Sequence, residues 1–511
     1  MSARQVTAAV RNQGVGSWIE RRARLAPDQV AIISGDTRYT YAELASRVRR
    51  LAHGLQSLGV GKGDRVGWLG PNHPAFLETL FASATLGAVM TPINHRLEPG
   101  LINSIYGDVA PVVLFVDRSL VDGPLPPTAG TRVVVGDAAD SESEYEQFIA
   151  GHEDQSIDVA IALDELCLLA FTSGTTSAPK GVMLSHANVT WNVINCLSCL
   201  DLRGDDVTIA AAPFFRTGGT GVTVLPVLFA GGTVVIPRRT ETEEILHLIE
   251  RHRVTIQFGN PDLLDALMRS PLWGTADLTS LRAFVTGGAP VPERLLRTCH
   301  ERHLTVLQGY GLSEAAPLVS VLDARNAEGK AGSAGRSAFF VDLRIADADG
   351  TDSANGAIGE LLVHGPNVAT GYWHHPEATE RAFDAGGWLR TGDAARFDAD
   401  GFLFIVGRMA DAYVSAGEMV HPGVVERVLL QHVSVAETCV LGEDGRAVAY
   451  VVLKAGAGDT IESELFSLCR EQLPAHARPT AFEFVASLPK NPAGKIMRHL
   501  LRRAAVTASR R

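Results

Sequence analysis

The sequence predicts an α/β protein, with a large N-terminal domain (1–407) of mainly parallel sheets flanked by helices and a small α+β C-terminal domain (408–511). Three observations carry that prediction. At 511 residues the chain exceeds what one core organises, because single cores stop growing near roughly 250 to 300 residues. Short β-rich runs alternate with amphipathic stretches along most of its length, the pattern of parallel strands joined by helices. Near Gly407 the character changes, with a hairpin-like GFLFIVGR (401–408) and then a shorter set of elements.

Taken in order, Thr40 and Glu43 form a T-x-x-E capping box, and Tyr41, Leu44, Val48, Leu51, Ala52 and Leu55 recur at helical spacing as far as Gly59. β-rich runs follow at Arg65–Leu69, Val112–Val116, Arg132–Val135, Thr208–Ala212, Thr233–Ile236, Val254–Phe258 and Arg282–Thr286. Between the later ones lie the amphipathic stretches Glu241–His252 and Pro292–Arg302. The acidic stretch Asp137–Asp154 reads as a solvated loop or linker. Past Gly407 come a helix at Gly423–Gln431, strands at Val435–Leu441 and Val448–Leu453, a helix at Ile461–Leu473 and a strand at Ala481–Val485.

Composition narrows the function classes. Apolar residues at 46% and charged residues at 20% describe an ordinary packed globular chain. A net charge of -11 repels phosphate backbones and anionic lipid, so nucleic acid is not an expected partner. The most apolar stretch, Val222–Ile236, contains Pro226, Gly231 and Gly232 and falls short of the ~20 residues of a spanning helix, so no membrane span is expected. The first residues lack the apolar run of a secretion signal, which makes the cytoplasm the expected location. Six scattered cysteines read as buried thiols, the Cys196/Cys199 pair included. The oligomeric state is left open, with a homodimer as one option.

The chemistry begins where the apolar strand Cys167–Phe171 runs into Thr172-Ser173-Gly174-Thr175-Thr176-Ser177-Ala178-Pro179-Lys180-Gly181. Hydroxyls, exposed N–H groups and a lysine after a strand suit phosphate binding, although a generic Ser/Thr-rich turn has the same composition. The spacing is not that of a Walker loop, since Gly181 follows the lysine. Gln308-Gly309-Tyr310-Gly311-Leu312-Ser313-Glu314 follows strand Leu304–Leu307 and sets an aromatic among glycines for purine stacking, with a carboxylate for magnesium. Thr391-Gly392-Asp393 reads as a tight turn whose carboxylate can accept from ribose hydroxyls. Pro489-Lys490-Asn491-Pro492-Ala493-Gly494-Lys495 carries a lysine on a stiff loop, where it could bridge a carboxylate and an α-phosphate.

In this order the chain resembles the adenylate-forming superfamily of acyl-CoA synthetases, peptide-synthetase adenylation domains and luciferases. The blocks are TSGTTSAPKG at 172, GGAPVPE at 287, QGYGLSE at 308, GYWHHPEAT at 371, GGWLRTGD at 386, GRMADAYVSAGE at 407 and NPAGK at 491. The pattern is nearest that of bacterial fatty-acid or aryl-acid CoA ligases. The resemblance implies that Thr172, Ser173, Gly174, Thr175, Thr176 and Lys180 close over the triphosphate of ATP. It implies that Gly288, Ala289, Pro290, Gln308, Gly309, Tyr310, Gly311 and Ser313 frame the nucleotide, that Asp393 and Arg408 hold the ribose, and that Glu314 with Thr175 holds Mg2+. Lys495 would catalyse adenylation beside Lys180 and Glu314. The C-terminal domain would be a mobile lid swinging at the hinge residue Ala410, bringing Ala416, Gly417 and Glu418 to a coenzyme A tunnel. Phe214, Phe215, Arg216, Gly219, Gly221, Phe258, Gly287 and Leu312 would line the acid pocket.

Several positions depart from the family pattern. Ala410 stands where lysine or aspartate is usual, Ala416 replaces the first of two glycines, and the chain is short around 442–446. Arg216 stands where histidine is usual; an arginine there either holds a substrate anion or pairs with a neighbouring carboxylate. His186 is read as a cap for the helix after the phosphate loop rather than as a base. The leading expectation is an ATP-dependent acid:CoA ligase acting on a fatty or aromatic carboxylic acid. Two rivals stand beside it: an adenylating enzyme with a non-CoA acceptor (an amine, a carrier protein, or a nitrite-activating variant), and a nucleotide-binding pseudoenzyme.

Overall fold

The computed structural model describes residues 11–126, 130–137, 140–172, 179–289, 291–347, 349–354, 356–443, 446–454, 456–458, 460–490 and 496–502. The capping box forms as expected: Thr40 Oγ1 accepts from the Glu43 N–H at 3.2 Å and Glu43 Oε2 accepts from the Thr40 N–H at 2.8 Å. The helix it opens, Tyr41–Ser57, buries Leu44, Val48, Leu51 and Leu55 against the wholly buried helix Pro74–Leu86. Glu78 of that second helix is fully buried. Its charge is met by Arg47 at 2.6 Å and by the Tyr145 hydroxyl, which donates at 2.5 Å. Tyr145 corrects one expectation, because the acidic stretch is not a solvated loop: it contains helix Glu144–Ala150, capped by Ser143. Arg47 and Arg49 of helix Tyr41–Ser57 take up Glu146 and Asp154, each at 2.6 Å, so this acid run is held against basic residues rather than solvated.

The largest sheet runs Gly371–Tyr372, Lys180–Ser185, Leu166–Thr172, Val89–Ile93, Arg65–Leu69, Val113–Asp117, Thr131–Val135. Its last five strands are parallel, and the first three are joined antiparallel. In the second sheet, Ile256–Gly259, Ala283–Gly287 and Val306–Gly311 are parallel, followed by two antiparallel strands. Val30–Ser34, Thr233–Val235 and Val207–Ile209 form the parallel part of a third. The expected runs thus become strands, displaced or shortened by a residue or two. The second sheet also absorbs Gln308–Gly311, which continues the strand instead of following it: Gln308 and Gly309 pair on both sides, Tyr310 and Gly311 on one.

A fourth sheet, Asp342–Ala346, Gly359–His364, Leu389–Phe397 and Leu403–Arg408, is antiparallel throughout and departs from the mainly parallel expectation. GFLFIVGR contributes its last strand. Beyond it, helices Pro422–Leu429 and Ile461–Gln472 pack on strands Val435–Glu443, Arg446–Leu453 and Ala481–Phe484. Val425, Leu429, Val440, Ala449, Val451, Leu465 and Cys469 form a core there that contains no residue from before 413. Among the described residues no helix is long and apolar enough to cross a membrane.

Candidate active site

Thr172 ends one strand of the largest sheet and Lys180 begins the next, and the two face each other across the antiparallel pair. Ser173, Gly174, Thr175 and Thr176, which connect them, lie outside the described residues. From Lys180 the ammonium reaches over the ring of Tyr372, 5.4 Å from its centroid. Tyr372 belongs to the edge strand beside Lys180–Ser185, and its hydroxyl donates to Glu314 Oε1 at 2.8 Å. Burial first, and then the Glu314 carboxylate, push the ionisation of Tyr372 upward, so it remains a donor. Tyr372 lies in one of the blocks that carry the family resemblance, and no role for it follows from the sequence alone.

Glu314 sits in a 3-10 turn just after strand Val306–Gly311, and its carbonyl accepts from the Ala369 N–H at 2.8 Å. Gly287 and Gly309 face each other where that strand meets its parallel neighbour. A β-carbon at Gly287 would stand 2.5 Å from the Gly309 carbonyl oxygen, so glycine is what allows the close approach. Gly288 follows in the left-handed region at φ +85, with Ala289 after it; Pro290 lies outside the described residues. Gln308 is buried beside Thr286, and neither Gln308 Nε2 nor Thr286 Oγ1 has a partner among the described residues.

Tyr310 connects this sheet to the fourth. Its hydroxyl donates to Asp393 Oδ2 at 2.6 Å, while Arg408 Nη1 donates to Asp393 Oδ1 at 2.8 Å and to the Thr391 carbonyl at 2.9 Å. Burial, then Asp393, keep the Tyr310 proton in place. Asp393 is not in a tight turn, as Thr391-Gly392-Asp393 had suggested. It lies within strand Leu389–Phe397, where the register slips between Glu360 and Leu362 and Gly392 takes φ +70. These contacts therefore join residues from five of the sequence blocks, with Tyr310, Asp393 and Arg408 hydrogen-bonded in one group and Lys180, Tyr372 and Glu314 in another, Lys180 held there by its contact with the tyrosine ring.

Ser313 connects this region to the expected acid pocket, its hydroxyl 3.1 Å from that of Thr217. Phe214 and Phe215 are buried and, with Arg216, line a narrow apolar crevice that also includes Phe76, Leu80 and Val189. The Phe214 N–H donates to Asn72 Oδ1 at 2.8 Å, which fixes the start of this segment. Phe258 faces Gly218. Gly219 and Gly221 have packing roles: a β-carbon at Gly219 would run into the Pro213 carbonyl, and one at Gly221 would lie 2.6 Å from Pro317. Leu312 borders the same region, its N–H bonded to the Pro317 carbonyl at 3.0 Å.

Magnesium commonly takes one or two protein carboxylates plus phosphate oxygens. Glu314, a single carboxylate with one oxygen engaged by Tyr372, fits that demand, and no group of three or more His, Cys, Asp or Glu residues suited to a metal occurs among the described residues. His186 is a first-turn residue rather than the cap. Ser185 is the N-cap of helix His186–Leu200, and the buried His186 Nδ1 accepts from the Val15 N–H at 3.1 Å.

Ala410 lies in the 3-10 turn Met409–Asp411. Ala416 and Gly417, at φ +50 and +84, make a two-residue hairpin between Tyr413–Ser415 and Glu418–Val420. Left-handed geometry at both positions is the type I′ pattern, which explains why a glycine pair suits this site. Lys495 lies outside the described residues, but both flanks of its loop are fixed. Lys490 bridges to Ile496, the Met497 N–H donates to the Pro489 carbonyl at 2.8 Å, and Arg498 pairs with Glu426 at 2.7 Å and with Asp411 at 3.2 Å.

With this geometry in view, residues 19–373 match the model of the AMP-binding enzyme family and residues 424–495 that of the AMP-binding enzyme C-terminal domain. A feruloyl-CoA synthase of an Amycolatopsis species is 41% identical over 97% of this chain and 99% of its own. An indoleacetate–CoA ligase of Aromatoleum aromaticum is 35% identical over 94% of this chain and 96% of its own. The crystal structure of an anthranilate CoA ligase in complex with anthranoyl-AMP superposes with a TM-score of 0.88 at 27% identity, covering 100% of both chains.

Proposed function

The chain belongs to the AMP-binding enzyme family, and from that premise we propose that it is an ATP-dependent acid:CoA ligase whose acid is aromatic. The observation that carries this reading is the pair of linked groups, Tyr310–Asp393–Arg408 and Lys180–Tyr372–Glu314, connected through Ser313 and Thr217 to an apolar crevice with phenylalanines in its wall. The aromatic preference is also supported by relatives named for feruloyl, indoleacetate and anthranilate substrates.

In the first half-reaction the substrate carboxylate oxygen attacks the α-phosphorus of ATP; the bond to the β-phosphate oxygen breaks, leaving acyl-AMP and pyrophosphate. Asp393, aimed by Tyr310 on one oxygen and by Arg408 on the other, accepts from the ribose hydroxyls through its remaining lone pairs. Lys180 places positive charge at the phosphates, and Lys495 brings a second cation to the reacting oxygens. Such chemistry depends mainly on position and charge neutralisation. Mg2+, held by Glu314 together with Thr175, would supply further neutralisation at the phosphates. In the second half-reaction the CoA thiol attacks the acyl carbonyl, the thioester forms and AMP departs. We assign adenylation to 1–407 and the lid to 408–511, with the hairpin Ala416-Gly417 and Glu418 on the CoA side, and place the enzyme in the cytoplasm.

The test is pyrophosphate release with ATP and magnesium across fatty and aromatic acids, each with and without CoA, with Lys495→Ala run alongside. Sustained release that needs CoA, favours aromatic acids and collapses in the variant supports the reading. Turnover that ignores CoA but responds to an amine or nitrite would replace it with a different acceptor.

A further inference from the structure

Helix His186–Leu200 buries three asparagines on one face, Asn188, Asn192 and Asn195, at the i, i+4, i+7 spacing of a core stripe. A buried amide is costly unless its hydrogen bonds are made, and each of these bonds to backbone from a distant segment. Asn192 holds two segments at once. Its Nδ2 donates to the Gly221 carbonyl at 2.8 Å, and its Oδ1 accepts from the Leu318 N–H at 2.9 Å. Gly221 ends helix Thr217–Gly221, whose Thr217 and Thr220 line the apolar crevice. Leu318 begins strand Leu318–Leu322 and pairs with Gly311, closing the loop that carries Ser313 and Glu314. The same two pieces meet twice more: the Thr217 and Ser313 hydroxyls lie 3.1 Å apart, and a β-carbon at Gly221 would stand 2.6 Å from Pro317.

The loop is clamped elsewhere too. Asn367, fully buried, donates from Nδ2 to the Ala315 carbonyl at 2.7 Å and to the Leu318 carbonyl at 3.0 Å, and Asn188 donates to the Pro366 and Val368 carbonyls on either side of it. These bonds fix the shape of the Glu314 loop, while Asn192 and the Thr217–Ser313 pair set that loop against the crevice wall. We propose that Asn192 is a positioning residue for adenylation: it sets the wall of the acid pocket against the turn carrying Ser313 and Glu314, so that the bound carboxylate faces the α-phosphorus in line. Fully buried, Asn192 acts through Gly221 and Leu318 rather than on a substrate. A misplacement of about 1 Å at a reacting centre costs on the order of a hundredfold. The effect is confined to one half of the reaction. Before adenylation the acid and the α-phosphate are separate molecules, aligned by the pieces of protein that hold them; afterwards a covalent bond sets their separation, and thioester formation no longer needs the link. This inference rests on the ligase reading above and adds a residue to its first step.

The experiment compares the full-length wild type with Asn192→Leu, Thr217→Val and Asn195→Leu, using the aromatic acid that gives the fastest wild-type pyrophosphate release. Asn195→Leu is the control: it removes an equally buried amide from the same helix, but Asn195 Oδ1 accepts from the Phe340 N–H at 2.9 Å, outside both pieces. Thr217→Val keeps the side chain's shape and removes the hydroxyl facing Ser313. Two rates are read at saturating substrate: single-turnover pyrophosphate release without CoA, and thioester formation from the presynthesised acyl adenylate with CoA. Asn192→Leu should slow the first on the order of 10- to 100-fold and Thr217→Val about threefold to tenfold, while both leave the second within about threefold. Asn195→Leu should leave both rates within about threefold. Equal slowing of the two rates in Asn192→Leu marks a general lesion and overturns the proposal, as does a release rate no slower than that of Asn195→Leu. Should Asn192→Leu not fold, Thr217→Val decides, and release equal to the wild type overturns the proposal. A wild type that releases pyrophosphate yet forms no thioester overturns the ligase reading alone; the release rates, scaled by the folded fraction from circular dichroism, then decide the role of Asn192.

Discussion

Asp393 takes a hydrogen bond on each carboxylate oxygen, from Tyr310 and from Arg408, so both neighbours aim it and neither is spare. Asp393→Ala should raise the KM for ATP on the order of 10- to 100-fold, the scale of a lost charged hydrogen bond, with a smaller effect on the KM for the acid. Steady-state kinetics with each substrate varied in turn checks this. Tyr372→Phe removes one hydroxyl and should lower kcat about tenfold while leaving the melting temperature nearly unchanged; equal kcat in the two proteins would mean that Glu314 needs no fixed orientation. Tyr310, Asp393 and Arg408 were legible in the sequence because each sits in a distinctive block. Tyr372 was not, because its partner Glu314 is distant in the chain and the contact exists only through the pairing of Gly371–Tyr372 with the sheet edge. Gly219 and Gly221 were read as pocket lining because spacing does not reveal which way a glycine's missing side chain would point.

Among elements, the capped helix Tyr41–Ser57 was readable almost to the residue, since capping chemistry and periodicity are local. The antiparallel sheet was not: the register slip and Gly392 break the two-residue alternation of strand Leu389–Phe397 that would have signalled it. The hairpin Ala416-Gly417 holds a non-glycine residue at φ +50. Ala416→Gly should therefore stabilise the protein by roughly 0.5 to 1 kcal/mol, read as a higher urea midpoint. Helix His186–Leu200 carries a pH dependence. His186 Nδ1 must remain unprotonated to accept from Val15, and burial, opposed by Glu165, pushes its pKa down from 6.5 to about 4. Below pH 6.5 the unfolded chain takes up a proton that the folded state refuses, so this stability is present above 6.5 and is lost progressively toward pH 4. The loss is on the order of 3 kcal/mol at full extent. His186→Asn, whose amide oxygen can accept from Val15, should flatten that part of the stability profile in urea titrations from pH 7 to 4.

For the molecule as a whole, a change in element pattern past Gly407 is visible in the sequence, and the structure gathers a separate hydrophobic cluster from residue 413 onward. Arg498 ties the chain beyond the lysine loop to Glu426, to the Val440 carbonyl at 2.7 Å and to Asp411 beside the hinge position. Arg498→Ala should destabilise that unit by about 2 to 3 kcal/mol, since it removes the cation from a largely buried Glu426 that keeps the Val440 N–H as a donor. All six tryptophans lie at or before Trp388, so tryptophan fluorescence reports the large domain, whereas circular dichroism sees both. In the variant the two urea transitions should separate, the dichroism change beginning first; coincident curves would show that the units unfold together.

The short strand Gly371–Tyr372 has a further consequence, for solubility. It closes the end of the seven-stranded sheet, with the Thr370 N–H donating to the Met183 carbonyl at 3.2 Å and the Trp373 N–H to the Gly181 carbonyl at 2.8 Å. Without it, Lys180–Ser185 would present an open ladder of unpaired backbone groups, the template along which chains add to one another. The segment that orients Glu314 is thus also a stopper against fibre-like association. Lesions that loosen it should produce precipitating protein as well as slow enzyme, so that loss of activity in this stretch arrives together with loss of yield.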